Sequence, residues 1–417
     1  MKIIVQKFGG TSVKDEKGRN LAREHIEHAL SEGYKVVVVV SAMGRKGAPY
    51  ATDTLIDLLG SDKSKVSKRE HDMLLSCGEI ISSVVFSNML NSFGIQATAM
   101  SGAQAGFRTN DDFTNAKITD MKCDRVISLL ADYDVIVVAG FQGATKYGDV
   151  TTIGRGGSDT SAAALGAALH AEWIDIFTDV EGVMTADPRV VSSAKPLDIV
   201  TYNEICNMAY QGAKVIHPRA VEIAMQAKVP IRIRSTYSNS PGTLVTTLDK
   251  NNKGCDVKER LITGIAYVSN VTQIKVFAKE NEFNLQTEVF QAMANEKISV
   301  DFFNITPNGV VYTIPDELTD HAIEILKRKG YDPIITRHCA KVSTVGAAIN
   351  GVPGVTAKIV TALSELGIQI LQSADSHTTI WVLVKQDDMV KAVNALHDAF
   401  QLSGENHEVG SNNHKTS

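Results

Sequence analysis

Residues 35–40 read Lys35-Val36-Val37-Val38-Val39-Val40, a run of valines with no polar face. A half-solvated strand alternates apolar and polar residues, whereas a continuous β-branched run is typical of a strand that is covered on both sides. Such strands occur in parallel sheets that carry helices on both faces. The run therefore predicts an α/β fold.

Strand and helix patterns alternate around this run throughout residues 1–245, which we predict to form one domain. Strands are predicted at Lys2–Phe8, Lys35–Val40, Gln96–Met100, Asp134–Ala139, Trp173–Thr178 and Pro230–Ser235. Helices are predicted at Leu21–Ser31, Glu70–Asn91, Met121–Ala131, Thr160–His170, Glu204–Tyr210 and Pro218–Ala227. This alternation favours a largely parallel sheet covered by helices.

The last third of the chain contains an internal repeat with a constant offset of 70 positions. Ala292-Met293 corresponds to Ala362-Leu363, and Ile298-Ser299-Val300 corresponds to Ile368-Gln369-Ile370. Each copy has the pattern strand, helix, strand, strand, helix. Because two copies are too few for a solenoid, we predict two small α+β modules, at residues 263–338 and 339–403.

Polar stretches flank the repeat. Asp249–Arg260 predicts a linker, which we place at residues 246–262. Residues 404–417 predict a disordered tail, since polar chain ends are seldom ordered unless they are tied down.

The composition argues against several classes of function. The net charge is −5 and the cationic residues are scattered, so we expect no nucleic-acid partner. The N-terminus enters a strand without the apolar region of a signal peptide, and no apolar run approaches the ~20 residues of a membrane span. Five cysteines without metal-ligand spacing predict reduced thiols and a cytoplasmic location.

The first predicted strand leads directly into Lys7-Phe8-Gly9-Gly10-Thr11-Ser12. Two glycines at the end of a strand let main-chain N–H groups approach an anion, and the Lys7 ammonium lies where it can bridge phosphate oxygens. The alternative, which a glycine pair taken alone favours, is an ordinary strand-to-loop turn. The stretch is not a Walker A motif, because the lysine precedes the glycines.

A second glycine-rich stretch, Gly154-Arg155-Gly156-Gly157-Ser158-Asp159-Thr160-Ser161, opens an alanine-rich helix. Glycines before a helix N-terminus form an anion site by geometry and dipole, and Arg155 can hold a carboxylate or phosphate through two hydrogen bonds. Asp159 can hold a metal or an ammonium group. The alternative is that Asp159 or Ser158 is the helix N-cap.

Two further features carry charged side chains. Phe177–Arg189 begins at a strand end, where ligands of parallel sheets bind, and contains Thr178, Asp179, Asp187 and Arg189. Its alternative is a loop held by Asx turns and a local Asp187–Arg189 pair. Glu79 lies in an apolar helix and can receive a substrate ammonium; the alternative is a solvated helix carboxylate.

Five motifs in this order resemble the aspartate kinases of the amino-acid kinase family. They are Lys7–Ser12, Val39–Gly44, Gly154–Ser161, Phe177–Arg189 and Gly212–Pro218. The repeat resembles the paired, ferredoxin-like ACT modules of these enzymes. The resemblance implies an amino-acid kinase fold followed by two ACT modules. It also implies phosphoryl transfer from MgATP to L-aspartate, giving 4-phospho-L-aspartate at the start of lysine, diaminopimelate, threonine and methionine biosynthesis.

The resemblance also implies roles for single positions. It implies that Lys7, Asp159 and Arg155 are catalytic, and that Mg2+ is carried by ATP. The implied nucleotide-side residues are Lys7, Phe8, Gly9, Gly10, Ser41, Thr178, Asp179, Met184, Asp187, Arg189, Lys214 and Val215. The implied aspartate-side residues are Thr52, Glu79, Arg155, Gly156, Gly157 and Ser158. Met184 stands where the family often has tyrosine, so it offers apolar surface in place of a ring.

The paired modules imply feedback control by an amino-acid effector and a homodimer or higher oligomer. Purely structural or dimer-forming modules would give the same sequence pattern. The implied effector positions are Asn284, Gln286, Ser299, Val300, Asp301, Val355, Thr356, Gln369, Ile370, His377 and Thr378. Lysine, threonine and meso-diaminopimelate are the effectors of the family, and these residues do not select among them.

Three other functions are compatible with parts of the pattern. A kinase for glutamate, acetylglutamate, carbamate or a nucleoside monophosphate usually lacks Phe177–Arg189 followed by two modules. A catalytically silent amino-acid-binding regulator would carry lesions in the glycine motifs, which are intact. A nicotinamide-dependent dehydrogenase would need Gly-x-Gly-x-x-Gly after the first strand, and the motif is absent there. We also expect no fused homoserine dehydrogenase domain, since few residues follow the second module.

Overall fold

The computed structural model describes residues 1–60, 65–213, 215–247, 261–278, 284–347, 349 and 352–404. These residues form two compact units. Unit 1 contains the described residues within Met1–Val183, Pro196–Tyr210 and Lys214–Asp256, and unit 2 contains those within Met184–Lys195, Gln211–Ala213 and Val257–Ser417. Most of the predicted linker and tail, at 248–260 and 405–417, lies outside the described residues.

Unit 1 is built on a largely parallel sheet. The strands of this unit are β1 (Ile3–Phe8), β2 (Lys35–Val40), β3 (Ala97–Met100), β4 (Phe107–Thr109), β5 (Ile118–Met121), β6 (Val135–Ala139), β7 (Gln142–Ala144), β8 (Val150–Thr152), β9 (Trp173–Thr178), β10 (Ile199–Thr201), β11 (Ile231–Ser235) and β12 (Thr243–Thr246). Eight of them form one sheet in the order β10-β12-β11-β9-β1-β2-β6-β3. Every neighbouring pair is parallel except β11–β12, which confirms the predicted architecture.

The valine run lies near the centre of this sheet. All five valines of β2 are fully buried, because helices cover both faces and β1 and β6 pair with the two edges of the strand. On one face of the strand, Val36, Val38 and Val40 pack in one hydrophobic cluster, whose other members include Phe8, Phe86 and Phe177. Burial on both faces is the physical reason for the missing polar alternation.

All six predicted helices of unit 1 are present. The helices are α1 (Gly10–Val13), α2 (Glu16–Ser31), α3 (Thr52–Asp57), α4 (Lys68–Ser92), α5 (Asp124–Leu129), α6 (Gly157–Ala168), α7 (Tyr202–Tyr210) and α8 (Pro218–Ala227). Helix α2 begins earlier than predicted, because the Asp15 side chain accepts the Gly18 N–H at 2.8 Å and caps the helix there.

A second, four-stranded sheet with the order β5-β4-β7-β8 was not predicted. Its strands have only three or four residues, too few to show an alternating pattern. The predicted helix Met121–Ala131 is correspondingly too long, since Met121 ends β5 and α5 covers Asp124–Leu129. This sheet matters for the site because β8 leads into the glycine-rich stretch at Gly154.

Within the described chain, α4 alone has the length and apolar composition of a membrane-spanning helix. Half of its most apolar window is buried inside the protein, and the helix packs against β3, β6 and β8. It also buries the carboxyl groups of Asp72 and Glu79, as expected of a core helix that holds polar groups in defined places.

Unit 2 contains the two copies of the repeat. Its strands are β13 (Gly264–Phe277), β14 (Asp301–Thr306), β15 (Gly309–Pro315), β16 (Ile334–Val345), β17 (Gln372–Asp375) and β18 (Thr379–Lys385), and its helices are α9 (Leu285–Asn295), α10 (Thr319–Arg328), α11 (Val355–Glu365) and α12 (Met389–Ala399). Helices α9 and α11 are offset by 70 residues at both ends, as are β15 and β18. The predicted strand, helix, strand, strand, helix pattern is confirmed in both copies.

The two copies share one six-stranded antiparallel sheet, β14-β15-β13-β16-β18-β17. The long strands β13 and β16 pair at its centre and join the copies. Each copy has a separate apolar core, one around Tyr312 and the other around Leu363 and Leu396.

A short segment from the kinase-like part of the sequence belongs to unit 2. Ala186 and Val191 are buried in the core of the second copy, together with Ile359 and Leu363. The buried His397 ring contacts the Thr185 hydroxyl at 2.9 Å, and the Asn394 amide donates to the Val190 carbonyl at 3.0 Å. One linear boundary near residue 245 therefore does not describe how the chain is divided in space.

Candidate active site

The carboxyl ends of three adjacent parallel strands define the candidate site. In the sheet register Phe8 of β1 pairs with Val40 of β2 on one side and with Phe177 of β9 on the other. Gly9, Ser41 and Thr178 therefore lie along the same edge of the sheet. This is the edge where parallel α/β sheets bind ligands.

The turn after β1 requires glycine at its second position. A Cβ on Gly10 would lie 2.5 Å from the Ala42 carbonyl oxygen and 2.7 Å from that of Gly44. The Gly44 N–H donates to the Gly10 carbonyl at 2.9 Å, which fixes the turns after β1 and β2 to each other. Gly9 differs, since the nearest atom to a Cβ there is Lys7 Nζ at 3.5 Å.

Lys7 forms an ion pair with Asp159 at the centre of the site. Lys7 Nζ lies 2.8 Å from Asp159 Oδ1, and the two side chains are only 13% and 14% exposed. The other Asp159 oxygen accepts the His217 N–H at 3.3 Å. The structure thus brings together the predicted catalytic lysine of β1 and the predicted catalytic aspartate of α6.

The glycine stretch before α6 is held by close packing. Gly156 is the N-cap, with φ of 70°, and a Cβ there would lie 2.2 Å from the His217 ring. A Cβ on Gly157 would lie 2.6 Å from Phe141. No side chain caps the helix, so the alternative assignment of Ser158 or Asp159 as N-cap is wrong.

Ser41 and Ser158 connect the two predicted halves of the site. The Ser41 hydroxyl donates to Ser158 Oγ at 2.9 Å, and Ser158 is buried. Ser41 was predicted on the nucleotide side and Ser158 on the aspartate side. Their contact places the two predicted sets of residues next to each other, as in-line transfer between two bound reactants requires.

Glu79 is a buried carboxylate with one unused oxygen. It is 2% exposed, and its Oε1 accepts the Ala42 N–H at 3.1 Å. Its Oε2 has no hydrogen-bond partner among the described residues. Burial raises the pKa of Glu79 to about 8. The alternative of a solvated helix carboxylate is wrong, and the unused acceptor suits an incoming ammonium group.

The remaining aspartate-side residues lie on surface turns near these groups. Thr52 is the first residue of α3, which packs against α4, the helix of Glu79. Arg155 is exposed in the turn that precedes α6. An exposed guanidinium at this place is accessible to a carboxylate in solution.

Two residues that sequence reasoning missed support the glycine stretch. Asp72, fully buried on α4, accepts the Thr152 N–H and hydroxyl at 2.7 Å each and the Thr114 N–H at 2.9 Å. Arg219 on α8 donates to the carbonyls of Ile153 and Ala116, both at 3.2 Å. Both hold the main chain directly before Gly154. Arg219 directly follows the motif Gly212–Pro218, which could have drawn attention to it, whereas no motif surrounds Asp72.

The other predicted nucleotide-side residues of unit 1 differ in burial and in hydrogen bonding. The Phe8 ring is fully buried and stacks on Phe177 with centroids 4.7 Å apart, so only its main chain is available to a ligand. The Thr178 hydroxyl donates to Asp179 Oδ1 at 3.2 Å. Val215 is half-buried in the turn before α8, whereas Lys214 lies outside the described residues.

Met184, Asp187 and Arg189 belong to unit 2. Arg189 holds Asp187 through both carboxylate oxygens, with Nη2 at 2.7 Å from Oδ2, and this hydrogen bonding lowers the pKa of Asp187. The Tyr267 hydroxyl of β13 donates to the same carboxylate at 3.2 Å. The local Asp187–Arg189 pair, which was the structural alternative for this stretch, is therefore present.

The predicted effector residues lie at helix starts and strand entries of unit 2. In the first copy Asn284 is the N-cap of α9, Gln286 lies in its first turn, and Ser299, Val300 and Asp301 lead into β14. In the second copy Val355 and Thr356 open α11, Gln369 and Ile370 precede β17, and His377 and Thr378 form the turn before β18.

Side chains of the two copies meet near these positions. Asp301 pairs with Lys341 of β16, and the Gln372 amide donates to the Phe302 carbonyl. Gln273 is fully buried between them, donates to Gln372 Oε1 at 2.9 Å and leaves its own oxygen without a partner in the described part of the chain. Polar groups from both copies therefore converge beside Ser299–Asp301 and Gln369–Ile370.

Comparison with known proteins identifies close relatives. The sequence profile of the amino acid kinase family matches residues 2–235, and that of the ACT domain matches residues 334–398. The chain is 72% identical to aspartokinase 1 of Bacillus subtilis over 97% of this chain and 100% of the relative. It is 38% identical to aspartokinase 2 of the same organism over 97% and 98%, respectively.

Solved structures show the same architecture. Aspartokinase III of E. coli in complex with aspartate and ADP superposes with a TM-score of 0.77 at 26% identity, over 95% of this chain and 99% of that one. The same enzyme in complex with lysine and aspartate gives a TM-score of 0.74 at 27% identity, with the same coverage.

Proposed function

The chain belongs to the aspartokinases of the amino acid kinase family, and from this premise we propose how its residues carry out the reaction. An aspartokinase transfers a phosphoryl group from ATP to the side-chain carboxylate of L-aspartate, giving 4-phospho-L-aspartate and ADP. The observation that supports this assignment most directly is the meeting of Lys7 and Asp159 beside two glycine turns. There a cation lies beside the N-terminus of α6, which no side chain caps.

The nucleophile needs no general base. A side-chain carboxylate has a reference pKa near 3.9 and is ionised at neutral pH. The obstacle is repulsion between this carboxylate and the triphosphate. Catalysis then consists of positioning and charge neutralisation, which is the usual contribution of a protein to phosphoryl transfer.

Lys7 is assigned to the transferred phosphate. Its ammonium is fixed by Asp159 at the end of β1, and a Cβ at Gly9 would contact this ammonium at 3.5 Å. The main-chain N–H groups after β1 cradle the phosphate chain. Mg2+, carried by ATP, neutralises phosphate charge when it is bound.

Glu79 and Arg155 are assigned to the substrate aspartate. Glu79 has one buried, unused oxygen that suits the α-ammonium, and Arg155 is an exposed guanidinium that suits the α-carboxylate. With both ends held, the side-chain carboxylate remains free to attack. Thr52, Gly156, Gly157 and Ser158 complete this side, and Ser41, Thr178, Asp179 and Val215 complete the nucleotide side.

A substrate panel tests the assignment. Release of ADP is measured with aspartate, glutamate, acetylglutamate, carbamate and a nucleoside monophosphate as acceptors. We expect turnover with aspartate at least 100-fold above every other acceptor. Equal or greater turnover with any other member of the panel would contradict the assignment, and loss of turnover on removing Mg2+ with a chelator would support its role.

Regulation by an amino acid follows from the paired ACT modules. We assign the effector to the polar groups that converge beside Asp301 and Gln369, because the buried side chains of Gln273 and Gln372 meet there from the two copies and Gln273 keeps an oxygen without a partner among the described residues. The E. coli relative was solved with lysine. Inhibition assays with lysine, threonine and meso-diaminopimelate identify the effector, and indifference to all three would reject this regulatory site.

Assembly and location complete the proposal. We assign a homodimer or higher oligomer to the chain, since paired ACT modules commonly associate. A cytoplasmic location agrees with the free thiols of the four cysteines in the described part of the chain. Sedimentation of the purified protein measures the oligomeric state, and a monomer at micromolar concentration would contradict it.

A further inference from the structure

Arg45 forms an ion pair that spans the end of β1. It lies five residues beyond β2, and its Nη2 is 3.0 Å from Oδ2 of Asp179, which directly follows β9. Strand β1 lies between β9 and β2. Neighbouring strands are ~4.8 Å apart, so β2 and β9 are separated by about 10 Å. The two side chains therefore meet across the strand end that carries Lys7.

The main chain of Arg45 is fixed to the glycine turn. The preceding residue, Gly44, donates its N–H to the Gly10 carbonyl at 2.9 Å, and its φ of 88° suits glycine. The Arg45 carbonyl accepts the Ala48 N–H at 2.9 Å, which closes a turn on the other side. The base of the side chain is thus held in place, while the side chain itself is 74% exposed.

Arg45 can exchange Asp179 for another partner at little cost in free energy. Ion pairs between exposed side chains contribute little to stability, and Asp179 is itself 49% exposed. A phosphate chain at the end of β1 repels the Asp179 carboxylate and attracts the guanidinium. Arginine binds phosphate through two parallel hydrogen bonds, which are stronger than a single exposed contact.

We propose that Arg45 is a further phosphate-binding residue, which leaves Asp179 when the nucleotide binds and then pairs with the phosphate chain. The inference rests on the proposed function, because it takes the end of β1 as the place of the phosphates. Ion pairing with Asp179 in the absence of nucleotide keeps the guanidinium over this place and prevents it from extending into solvent. Arg45 would then add a second cation to Lys7 on the nucleotide side.

Calorimetric titration with ADP, AMP and adenosine tests the role. The variants are Arg45→Ala, Arg45→Lys and, as a matched control, Lys46→Ala, which removes the neighbouring exposed cation. We expect Arg45→Ala to weaken ADP binding at least tenfold and adenosine binding less than twofold, with Arg45→Lys in between. Lys46→Ala should bind all three ligands like the wild type.

Two results would overturn the inference. ADP binding by Arg45→Ala equal to that of the wild type would reduce Arg45 to a surface ion pair. An equal loss for ADP and adenosine would show that the substitution acts on the protein rather than on the phosphates. Failure of the wild type to bind ADP would instead reject the proposed nucleotide site as a whole, so the two failures are distinguishable.

Discussion

Lys7 is the residue on which the proposed chemistry depends most. Replacing it with alanine removes the cation that faces the transferred phosphate and leaves Asp159 unpaired. We expect kcat to fall by about 10²–10³, the usual loss when one preorganised charge contact to a transition state is removed. Steady-state kinetics with saturating ATP and aspartate measure the loss.

Lys35 provides the control for this substitution. It lies at the opposite end of the adjacent strand, β2, and pairs with Asp134 at 2.9 Å. Lys35→Ala therefore removes a comparable ion pair from the same sheet without touching the site. A similar loss of kcat in both variants would mean that Lys7 acts through stability rather than through the phosphate.

Glu79 makes aspartate binding depend on pH. Burial raises its pKa to about 8, so at pH 7 the free enzyme carries the neutral acid. Binding of an ammonium group needs the ionised form. The KM for aspartate should therefore fall by up to tenfold for each unit of rising pH below 8 and then level off. Glu79→Gln should show a high KM without this dependence, and a flat wild-type profile would contradict the assignment.

Burial of Glu79 also makes the free energy of unfolding depend on pH. The carboxyl of the unfolded chain ionises near pH 4.5, whereas that of the folded chain stays neutral up to about pH 8. The free energy of unfolding therefore decreases as the pH rises between these values. We expect Glu79→Gln to melt at a higher temperature than the wild type at pH 8, and to lose this advantage at pH 4.

Sequence alone identified the residues with a charge in an unusual setting. Lys7, Asp159 and Glu79 stand out because each is charged next to glycines or in an apolar helix. Asp72 and Arg219 did not stand out, because their function is to bind main-chain groups that are distant in sequence. Asp72 reaches Thr152 across 80 positions, and Arg219 reaches Ala116 across 103.

Helix α4 connects the two carboxylates of this part of the site. Asp72 and Glu79 are two turns apart on the buried face of the helix. Asp72 fixes β8 and thereby the start of the glycine stretch, while Glu79 is the proposed partner of the substrate ammonium. The helix therefore sets the position of Gly154–Ser158 relative to Glu79.

Substitution of Asp72 tests this role of α4. Asp72→Ala leaves the buried N–H and hydroxyl of Thr152 and the half-buried N–H of Thr114 without their acceptor, which should cost about 2–4 kcal/mol of unfolding free energy. Asp72→Asn keeps an acceptor and should lie between alanine and the wild type. We expect the KM for aspartate to rise in the same order, with a smaller change in the KM for ATP.

Denaturant titration and steady-state kinetics measure these effects, and the exposed Asp132→Ala is the control. If Asp72→Ala lost stability while the KM for aspartate stayed at its normal value, Asp72 would hold the fold without positioning the site.

At the level of elements, prediction succeeded where local pattern and tertiary environment agree. The valine run, the alanine-rich helix and the 70-residue repeat each carry a strong pattern of their own. The small sheet of β4, β5, β7 and β8 was missed, because its three- and four-residue strands are defined by their partners. Two helices begin earlier than predicted. Helix α6 starts after Gly156, whose main chain is left-handed, and α2 starts after Asp15, whose side chain caps it.

At the scale of the whole molecule, the chain passes between the two units several times, whereas consecutive predicted domains imply a single passage. Residues Met184–Lys195 leave unit 1 and return to it, and their apolar side chains complete the core of the second ACT copy. Sequence patterns could not show this, because Ala186 and Val191 are ordinary apolar loop residues until their partners, more than 150 positions away, are known.

Truncation of the chain after residue 247 tests this dependence. The shortened chain lacks Ile359, Leu363 and His397, so Ala186, Val191 and Thr185 lose their buried partners. Trypsin cleaves after lysine and arginine unless proline follows, so this segment offers the bond after Arg189, whereas Lys195 is protected by Pro196. We expect cleavage there at least tenfold faster than in the full chain, because a segment without its core opens at little cost in free energy.

Mass spectrometry of limited digests measures the rates at each position. Lys146, in an exposed turn of unit 1, is the internal control and should be cut equally in both proteins if unit 1 keeps its fold. Equal cleavage after Arg189 in the two proteins would show that Met184–Lys195 is held by contacts other than those with the second copy. Faster cleavage confined to this segment would instead mean that part of the predicted nucleotide side, Asp187 and Arg189, depends for its order on the ACT modules.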